Sequence, residues 1–191
     1  MAVSNVINVI STNNTKPTWS RQAILTWCNK CLSSDIQKIE DLCTGAAYCC
    51  LLDILFPDSV NLRKVKFISN QEIDYINNLI MLQQCFTKLK INKSIPIYKL
   101  VKGKFQDNYE FAIWFRLFYD ANFTKMPDGY NAIEKRNNQP LTKELAQKIR
   151  RSRTATTLTP KLPVRRRSRT HEPTMEEPVL AIATSASRQR I

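Results

Sequence analysis

Apolar side chains recur every three or four residues in four segments of the chain, the spacing that places them on one face of an α-helix. The first segment follows Ser20, whose hydroxyl is well suited to cap a helix N-terminus. The second covers residues 41–56 and ends at Pro57, the third covers residues 70–90, and the fourth begins near Phe105. The positions expected to face inward are, in chain order, Ile24, Trp27, Cys28, Cys31, Ala47, Cys50, Leu51, Ile54, Ile73, Ile76, Leu79, Ile80, Phe86, Phe111, Trp114, Phe115 and Phe118.

No segment shows the strict apolar–polar alternation of a half-buried strand bounded by turns, and the chain has only three glycines. The sequence therefore predicts an all-α domain of several packed helices. Gly45, Ala46 and Ala47 leave little side-chain bulk on the second predicted helix. We expect a neighbouring helix to approach closely there.

The two ends of the chain differ in composition from the middle. All Phe, Trp and Tyr residues lie before residue 131. Residues 134–191 carry 14 Lys and Arg against 5 Asp and Glu, a net charge of +9, whereas residues 1–133 carry 15 against 11, a net charge of +4. Such a charged, non-aromatic segment cannot bury enough apolar surface to offset its ordering entropy. We expect a flexible N-terminus at residues 1–18, a folded domain at residues 19–130 and a disordered basic tail at residues 131–191.

The N-terminus lacks the basic region and small-residue cleavage site of a signal peptide. No apolar run approaches the roughly 18 to 20 residues that a transmembrane helix needs. The six cysteines are then expected to be free thiols in a reducing compartment. The sequence predicts a soluble intracellular protein.

The residues that usually carry catalysis are scarce. The only histidine is His171, in the predicted tail, and three separated glycines cannot form a phosphate-binding loop. Cys28 and Cys31 have the spacing of a zinc or redox pair, but zinc needs two further ligands at matching spacing. We favour small apolar side chains packed in a helix. The prediction is a non-enzymatic protein without a cofactor or metal.

Basic and apolar residues alternate in two segments of the predicted domain: RKVKF at residues 63–67 and KLVKGKF at residues 99–105. This pattern favours a loop or short helix whose cations point outward, either as a solvated face or towards an acidic partner surface. The run RRRSR at residues 165–169 favours weak binding to any polyanion, with a nuclear localisation signal or a nucleic-acid patch as the alternatives.

Three longer stretches resemble the end-binding family of microtubule plus-end-tracking proteins. They are IEDLCTGAAYC at residues 39–49, LFP at residues 55–57 with VKF at residues 65–67, and KLVKGKFQDNYE at residues 99–110. The similarity continues through Phe111, Trp114, Phe115 and residues 119–122, and it covers about residues 19–130. This resemblance implies a calponin-homology fold that binds the microtubule lattice between tubulin subunits and recognises growing ends.

The resemblance also implies a set of contact residues. The positions that match the family's microtubule-facing residues are Arg21, Arg63, Lys64, Lys66, Lys93, Lys102, Lys104, Gln106 and Asn108. Cations alone do not distinguish lattice states, so Gln106 and Asn108 are the candidates for reading lattice shape.

The expected partner is tubulin, with no membrane or small-molecule ligand. The expected location is the cytoplasm and the microtubule cytoskeleton, including the spindle during cell division. The family's dimerising coiled coil does not follow the domain in this chain, so we expect a monomer.

Three alternatives stay open at this point. A calponin-homology fold is compatible with actin binding. The arginine-rich tail is compatible with nucleic-acid binding, which would depend steeply on salt and survive loss of residues 19–130. A chain that occupies the lattice without recruiting cargo would instead compete with longer relatives.

Overall fold

The computed structural model describes residues 6–10, 19–142, 146–147 and 149–151. Its helices are α1 (Arg21–Leu32), α2 (Ala46–Leu55), α3 (Glu72–Lys88), α4 (Ile97–Leu100), α5 (Phe105–Asn122) and α6 (Ala132–Lys135), with 3₁₀ helices at Ile39–Thr44 and Leu62–Lys64. The described residues contain no strand, and the all-α prediction is confirmed. Among the same residues, no helix is long and apolar enough to cross a membrane.

Helix α5 lies at the centre of the core. Its Phe111, Trp114, Phe115 and Phe118 are buried, as predicted. Tyr48 of α2 packs edge-on against Phe111 with the ring centroids 4.9 Å apart, and Trp27 of α1 packs edge-on against Tyr119 at 5.3 Å. These separations and angles suit the aromatic quadrupole. Three helices therefore share one aromatic layer.

Local signals set both ends of α1. The Oγ of Ser20 accepts a hydrogen bond from the Ala23 N–H at 3.1 Å, which confirms the predicted N-cap. At the other end, Ser33 adopts a left-handed conformation with φ of +47°, and its N–H donates to the carbonyl of Asn29. The predicted inward positions Ile24, Trp27 and Cys28 are buried, and Cys31 is half-buried.

The continuous helix predicted over residues 41–56 is wrong, because the 3₁₀ helix Ile39–Thr44 and α2 are separate elements. Gly45 divides them with φ of +72°, a left-handed conformation that glycine adopts without steric penalty. A Cβ placed on Gly45 would lie only 2.9 Å from Cδ2 of Leu79. The expected close approach of a neighbouring helix is therefore confirmed.

Helix α3 buries only part of the predicted face. Leu79 and Phe86 are buried and Ile76 is half-buried, but Ile73 and Ile80 are 55% and 41% exposed. Successive residues of an α-helix are rotated by about 100°. The arc that contains Leu79, Leu82 and Phe86 therefore leaves Ile73 and Ile80 outside it.

Residues 6–10, which the sequence assigned to a flexible N-terminus, lie against the folded domain. Val6 and Val9 pack against the core, and Ile7 exchanges two hydrogen bonds with the side chain of Asn122. Their partners are distant in the sequence, so no local pattern reveals them. Residues 1–5 and 11–18 of that predicted segment lie outside the described residues.

The packed domain also continues past the predicted boundary at residue 130. Buried Arg136 donates hydrogen bonds to the carbonyls of Leu32 at 2.7 Å and Ser33 at 3.0 Å, at the C-terminal end of α1. These carbonyls have no partner within the helix, which explains why a cation anchors here. Leu141 joins the core, residues 146–147 and 149–151 are helical, and the predicted disorder beyond residue 151 lies outside the described residues.

Candidate functional site

The basic segment at residues 63–67 confirms the predicted alternation. Val65 and Phe67 are 5% and 3% exposed, whereas Arg63, Lys64 and Lys66 are exposed. The two buried side chains fix the backbone to the core. The three cations are therefore held outward on one short stretch of chain.

The buried side chain of Asn78 in α3 ties this stretch to its neighbours. Its Oδ1 accepts from the Lys66 N–H at 2.9 Å, and its Nδ2 donates to the carbonyls of Lys66 and Thr44, both at 2.9 Å. Lys66 is thereby held beside the end of the 3₁₀ helix Ile39–Thr44. Sequence reasoning missed Asn78, and the one available signal was a polar residue on the apolar arc of α3.

A second group of predicted residues adjoins the same 3₁₀ helix. Leu100 and Val101 are buried, while Lys102 and Lys104 are exposed, as the alternation predicted. Gly103 lies between the two lysines, and a Cβ placed on it would be 3.9 Å from the Sγ of Cys43. The structure therefore brings Lys102 and Lys104 to the element that also holds Lys66.

Gln106 and Asn108 differ sharply in exposure. Gln106 is exposed, and its Nε2 donates to Oε1 of Glu110 at 2.7 Å. Asn108 is fully buried, and its Nδ2 donates to the carbonyls of Leu100 at 3.1 Å and Lys104 at 3.0 Å. The expectation that Asn108 contacts a partner is therefore wrong, because its amide closes the turn that joins α4 to α5. It thereby holds the backbone of Lys104.

Arg21 and Lys93 differ in how firmly their side chains are held. Arg21 is exposed at the start of α1, where the Tyr109 hydroxyl donates to the carbonyl of Trp19. Lys93 is half-buried, with its Nζ 5.2 Å from the ring centroid of Trp114. Cations attract aromatic faces at such distances. Lys93 is thus held on a ring, whereas Arg21 is open to solvent.

Arg63 and Lys64 also line an open cleft of about 990 Å³. One wall comes from α3 and another from the segment after α5, with Ile80, Met81, Lys88, Glu134 and Lys135 among the lining residues. Lys135 forms an ion pair with Asp58 at 3.0 Å, and this hydrogen bond raises the pKa of Lys135. Sequence reasoning missed Lys88 and Lys135, since only tertiary packing brings them to Arg63.

The cysteines are all free thiols. Burial raises the pKa of Cys28 to about 12, and burial also raises the pKa of Cys31. Cysteines react and bind metals as thiolates, which these surroundings disfavour. In the part of the chain that the structure describes, no three His, Cys, Asp or Glu residues are grouped to hold a metal.

A helical domain with exposed cations fixed by a buried polar frame has the character of a binding module. Residues 18–121 match the calponin homology (CH) domain family, so the chain belongs to the calponin-homology family. Domains of this family are binding modules, and the predicted fold is confirmed.

A solved structure gives a closer comparison. It comes from work described as "Structural Basis of Microtubule Plus End Tracking by XMAP215, CLIP-170 and EB1". The two chains are 34% identical, with a TM-score of 0.59. The similarity covers 63% of this chain and 100% of the other.

Proposed function

We propose that this protein binds microtubules through the exposed basic residues of its calponin-homology domain. The observation that carries the proposal is the similarity to a chain from a study of microtubule plus-end tracking. The contact residues that we propose are Arg21, Arg63, Lys64, Lys66, Lys93, Lys102, Lys104 and Gln106.

Electrostatics supports this choice of partner. The proposed surface holds seven cations, and tubulin presents an acidic surface. Complementary charge accelerates association and makes it sensitive to salt. The buried frame of Asn78 and Asn108 supports the proposal further, because it fixes the backbone of Lys66 and Lys104 before a partner arrives.

We further propose that the chain belongs to the end-binding group and prefers growing ends. Charge does not distinguish one lattice state from another, so a neutral side chain at the right position must contribute. Gln106 is the candidate, since it is exposed in the first turn of α5, beside the Lys102–Lys104 turn. A cytoskeletal location, including the spindle, follows from the same proposal.

The test is fluorescence imaging of the labelled full chain on dynamic microtubules. We expect moving comets on growing ends, lost or weakened in a Lys66→Glu variant and in a Lys104→Glu variant. Lys30→Glu is the matched control, because Lys30 is exposed on α1 and outside the proposed set. Gln106→Ala should retain lattice binding and lose the preference for ends.

Other outcomes would redirect the proposal. Absence of any microtubule binding contradicts it, and co-sedimentation with actin filaments in parallel would then favour the actin alternative. If Gln106→Ala keeps normal comets, Gln106 has no role in end recognition. The mass of the same preparation by sedimentation equilibrium tests the expected monomer.

A further inference from the structure

Residues 6–10 form a strap across the folded domain, held by two asparagine side chains. The Oδ1 of Asn122 accepts from the Ile7 N–H at 2.8 Å, and its Nδ2 donates to the Ile7 carbonyl at 2.9 Å. Asn8 does the same for another segment: its Nδ2 donates to the Lys90 carbonyl at 3.1 Å, and its Oδ1 accepts from the Asn92 N–H at 2.7 Å. The strap is therefore tied through the adjacent residues Ile7 and Asn8, the first to α5 and the second to the loop after α3.

The loop that Asn8 holds is the one that carries Lys93. From the other side, Gln83 of α3 donates through Nε2 to the Lys93 carbonyl at 3.2 Å and accepts through Oε1 from the Ile95 N–H at 2.7 Å. Lys90 has φ of +59° and lies just after the C-cap of α3, where a left-handed residue commonly ends a helix, and the Ile91 N–H donates to the Phe86 carbonyl at 2.8 Å. Two amide side chains thus hold this loop by hydrogen bonds. Asn8 binds Lys90 and Asn92, before Lys93, and Gln83 binds Lys93 itself and Ile95.

The strap also reaches the ring beneath the Lys93 side chain. Trp114 donates through Nε1 to the Val9 carbonyl at 3.5 Å, and the Lys93 ammonium lies over the same ring. The strap therefore acts on Lys93 twice, through its backbone loop and through its aromatic support. The other six cations of the proposed surface are exposed, whereas Lys93 is half-buried.

We propose that the strap is a positioning element that preorganises Lys93 for the microtubule. This inference rests on the proposed function and assigns Asn8 a role in it. A lysine loses much rotamer freedom when a partner immobilises it, and a side chain already held in place loses less. The hydrogen bonds of Asn8 are exposed to solvent, so they contribute little to folding but restrict the loop that carries Lys93.

The experiment is a double-mutant cycle in the full chain, read by co-sedimentation with stabilised microtubules. We expect Asn8→Ala to weaken binding about three- to tenfold, since that is the scale of ordering one long side chain. In a Lys93→Ala background, Asn8→Ala should have no further effect, because the group that it positions is absent. Asn131→Ala is the matched control, as Asn131 is also exposed and accepts from the backbone N–H groups of Ile133 and Glu134.

Hydrogen exchange of the free protein gives an independent readout. Asn8→Ala should speed exchange of the Asn92 amide, which donates to Asn8, and leave the amides of α5 protected. Unchanged exchange at Asn92 would overturn the inference whatever the microtubule data show.

The binding results separate two kinds of failure. A wild-type chain that binds microtubules, with Asn8→Ala equally tight or with additive effects of the two substitutions, overturns the positioning role alone. A wild-type chain that does not bind overturns the proposed function, and the role of Asn8 in it falls as well.

Discussion

The residues that shape the proposed surface most are buried amides, not cations. Asn78 is 1% exposed and makes three hydrogen bonds to backbone atoms of Thr44 and Lys66. Inside a protein such bonds are hard to replace, because no water reaches the groups that lose a partner. One side chain thus joins three segments that are far apart in the sequence.

Asn78→Ala should therefore lower the free energy of unfolding by about 2–4 kcal/mol, since it leaves several buried backbone groups without partners. Its neighbour Asn77 is exposed, and Asn77→Ala should change stability by less than about 0.5 kcal/mol. Urea unfolding followed by tryptophan fluorescence measures both variants. Equal stability losses in the two would contradict the connecting role of Asn78.

Residue-scale predictions from the sequence succeeded where the cause is local. The Ser20 cap depends on an N–H three residues away, and the alternation of Val65 with its lysines depends only on adjacent residues. Asn108 was predicted as a contact residue because it matches a microtubule-facing position in the resemblance to the end-binding family. Its actual position depends on carbonyls of the preceding turn, which a linear pattern does not show.

At the scale of elements, the segment after α5 is anchored to the domain by two buried charged side chains. Arg136 donates to carbonyls at the end of α1, and the Asp53 carboxylate accepts from the Tyr130 hydroxyl at 2.9 Å and the Asp58 N–H at 2.9 Å. A cation near a helix C-terminus is also favoured by the helix dipole. These contacts, and not apolar periodicity, make residues 131–142 part of the domain.

Arg136→Met should destabilise the protein by about 2–4 kcal/mol, because the new side chain fills the site but leaves the α1 carbonyls without donors. Lys135→Met removes the adjacent exposed ion pair with Asp58 and should change stability by at most about 1 kcal/mol. Thermal unfolding would compare the two variants. A larger loss for Lys135→Met would mean that the surface ion pair, not the buried cation, anchors the segment.

Asp53, the second buried charged side chain, makes the stability of the protein depend on pH. Burial raises the pKa of the Asp53 carboxyl, although the hydrogen bond from Tyr130 acts in the opposite direction. The folded state then binds the proton more readily than the unfolded state, so this group favours folding more as the pH falls from neutral through the raised pKa. Asp53→Asn keeps an acceptor for Tyr130 and removes the titration.

We therefore expect the stability of wild type relative to Asp53→Asn to increase when the pH is lowered from 7 towards the usual range of a carboxyl group. Urea unfolding at several pH values measures the difference. A constant difference across that range would mean that the pKa of Asp53 is not raised in the folded protein.

Most elements could be predicted from the sequence, and their errors share a cause. The 3.6-residue period located α1, α3 and α5, but it could not show the break at Gly45, which depends on the contact with Leu79. The period also could not choose between neighbouring faces of α3, because apolar residues occur on both. For that reason the sequence predicted that Ile73 and Ile80 face inward, although both are exposed.

For the whole molecule, the charge is concentrated outside the domain. Residues 143–191 hold 12 Lys and Arg against 4 Asp and Glu, a net of +8 out of +13. Long-range attraction of such charge to an acidic filament is screened by salt. The prediction of the calponin-homology fold rested on long ungapped motifs. The predicted boundary near residue 130 is wrong because the anchoring contacts of Arg136 are recognisable only in three dimensions.

If residues 143–191 add non-specific attraction, the affinity of the full chain for microtubules should fall more steeply with salt than that of a chain ending at Thr142. Co-sedimentation between about 50 and 200 mM salt measures the two slopes. Parallel slopes would show that this charge does not contact the filament. A shorter truncation, at residue 130, is unsuitable as a control because it removes Arg136.

The strap also has a consequence for how the protein is labelled. Asn8 contacts the loop that carries Lys93, and a fluorescent reporter fused in front of Met1 would be joined only seven residues before Asn8. A bulky group at that distance hinders anything that approaches the lysine, and faint comets would then be read as weak recognition. A dye or reporter attached after Ile191 avoids that error.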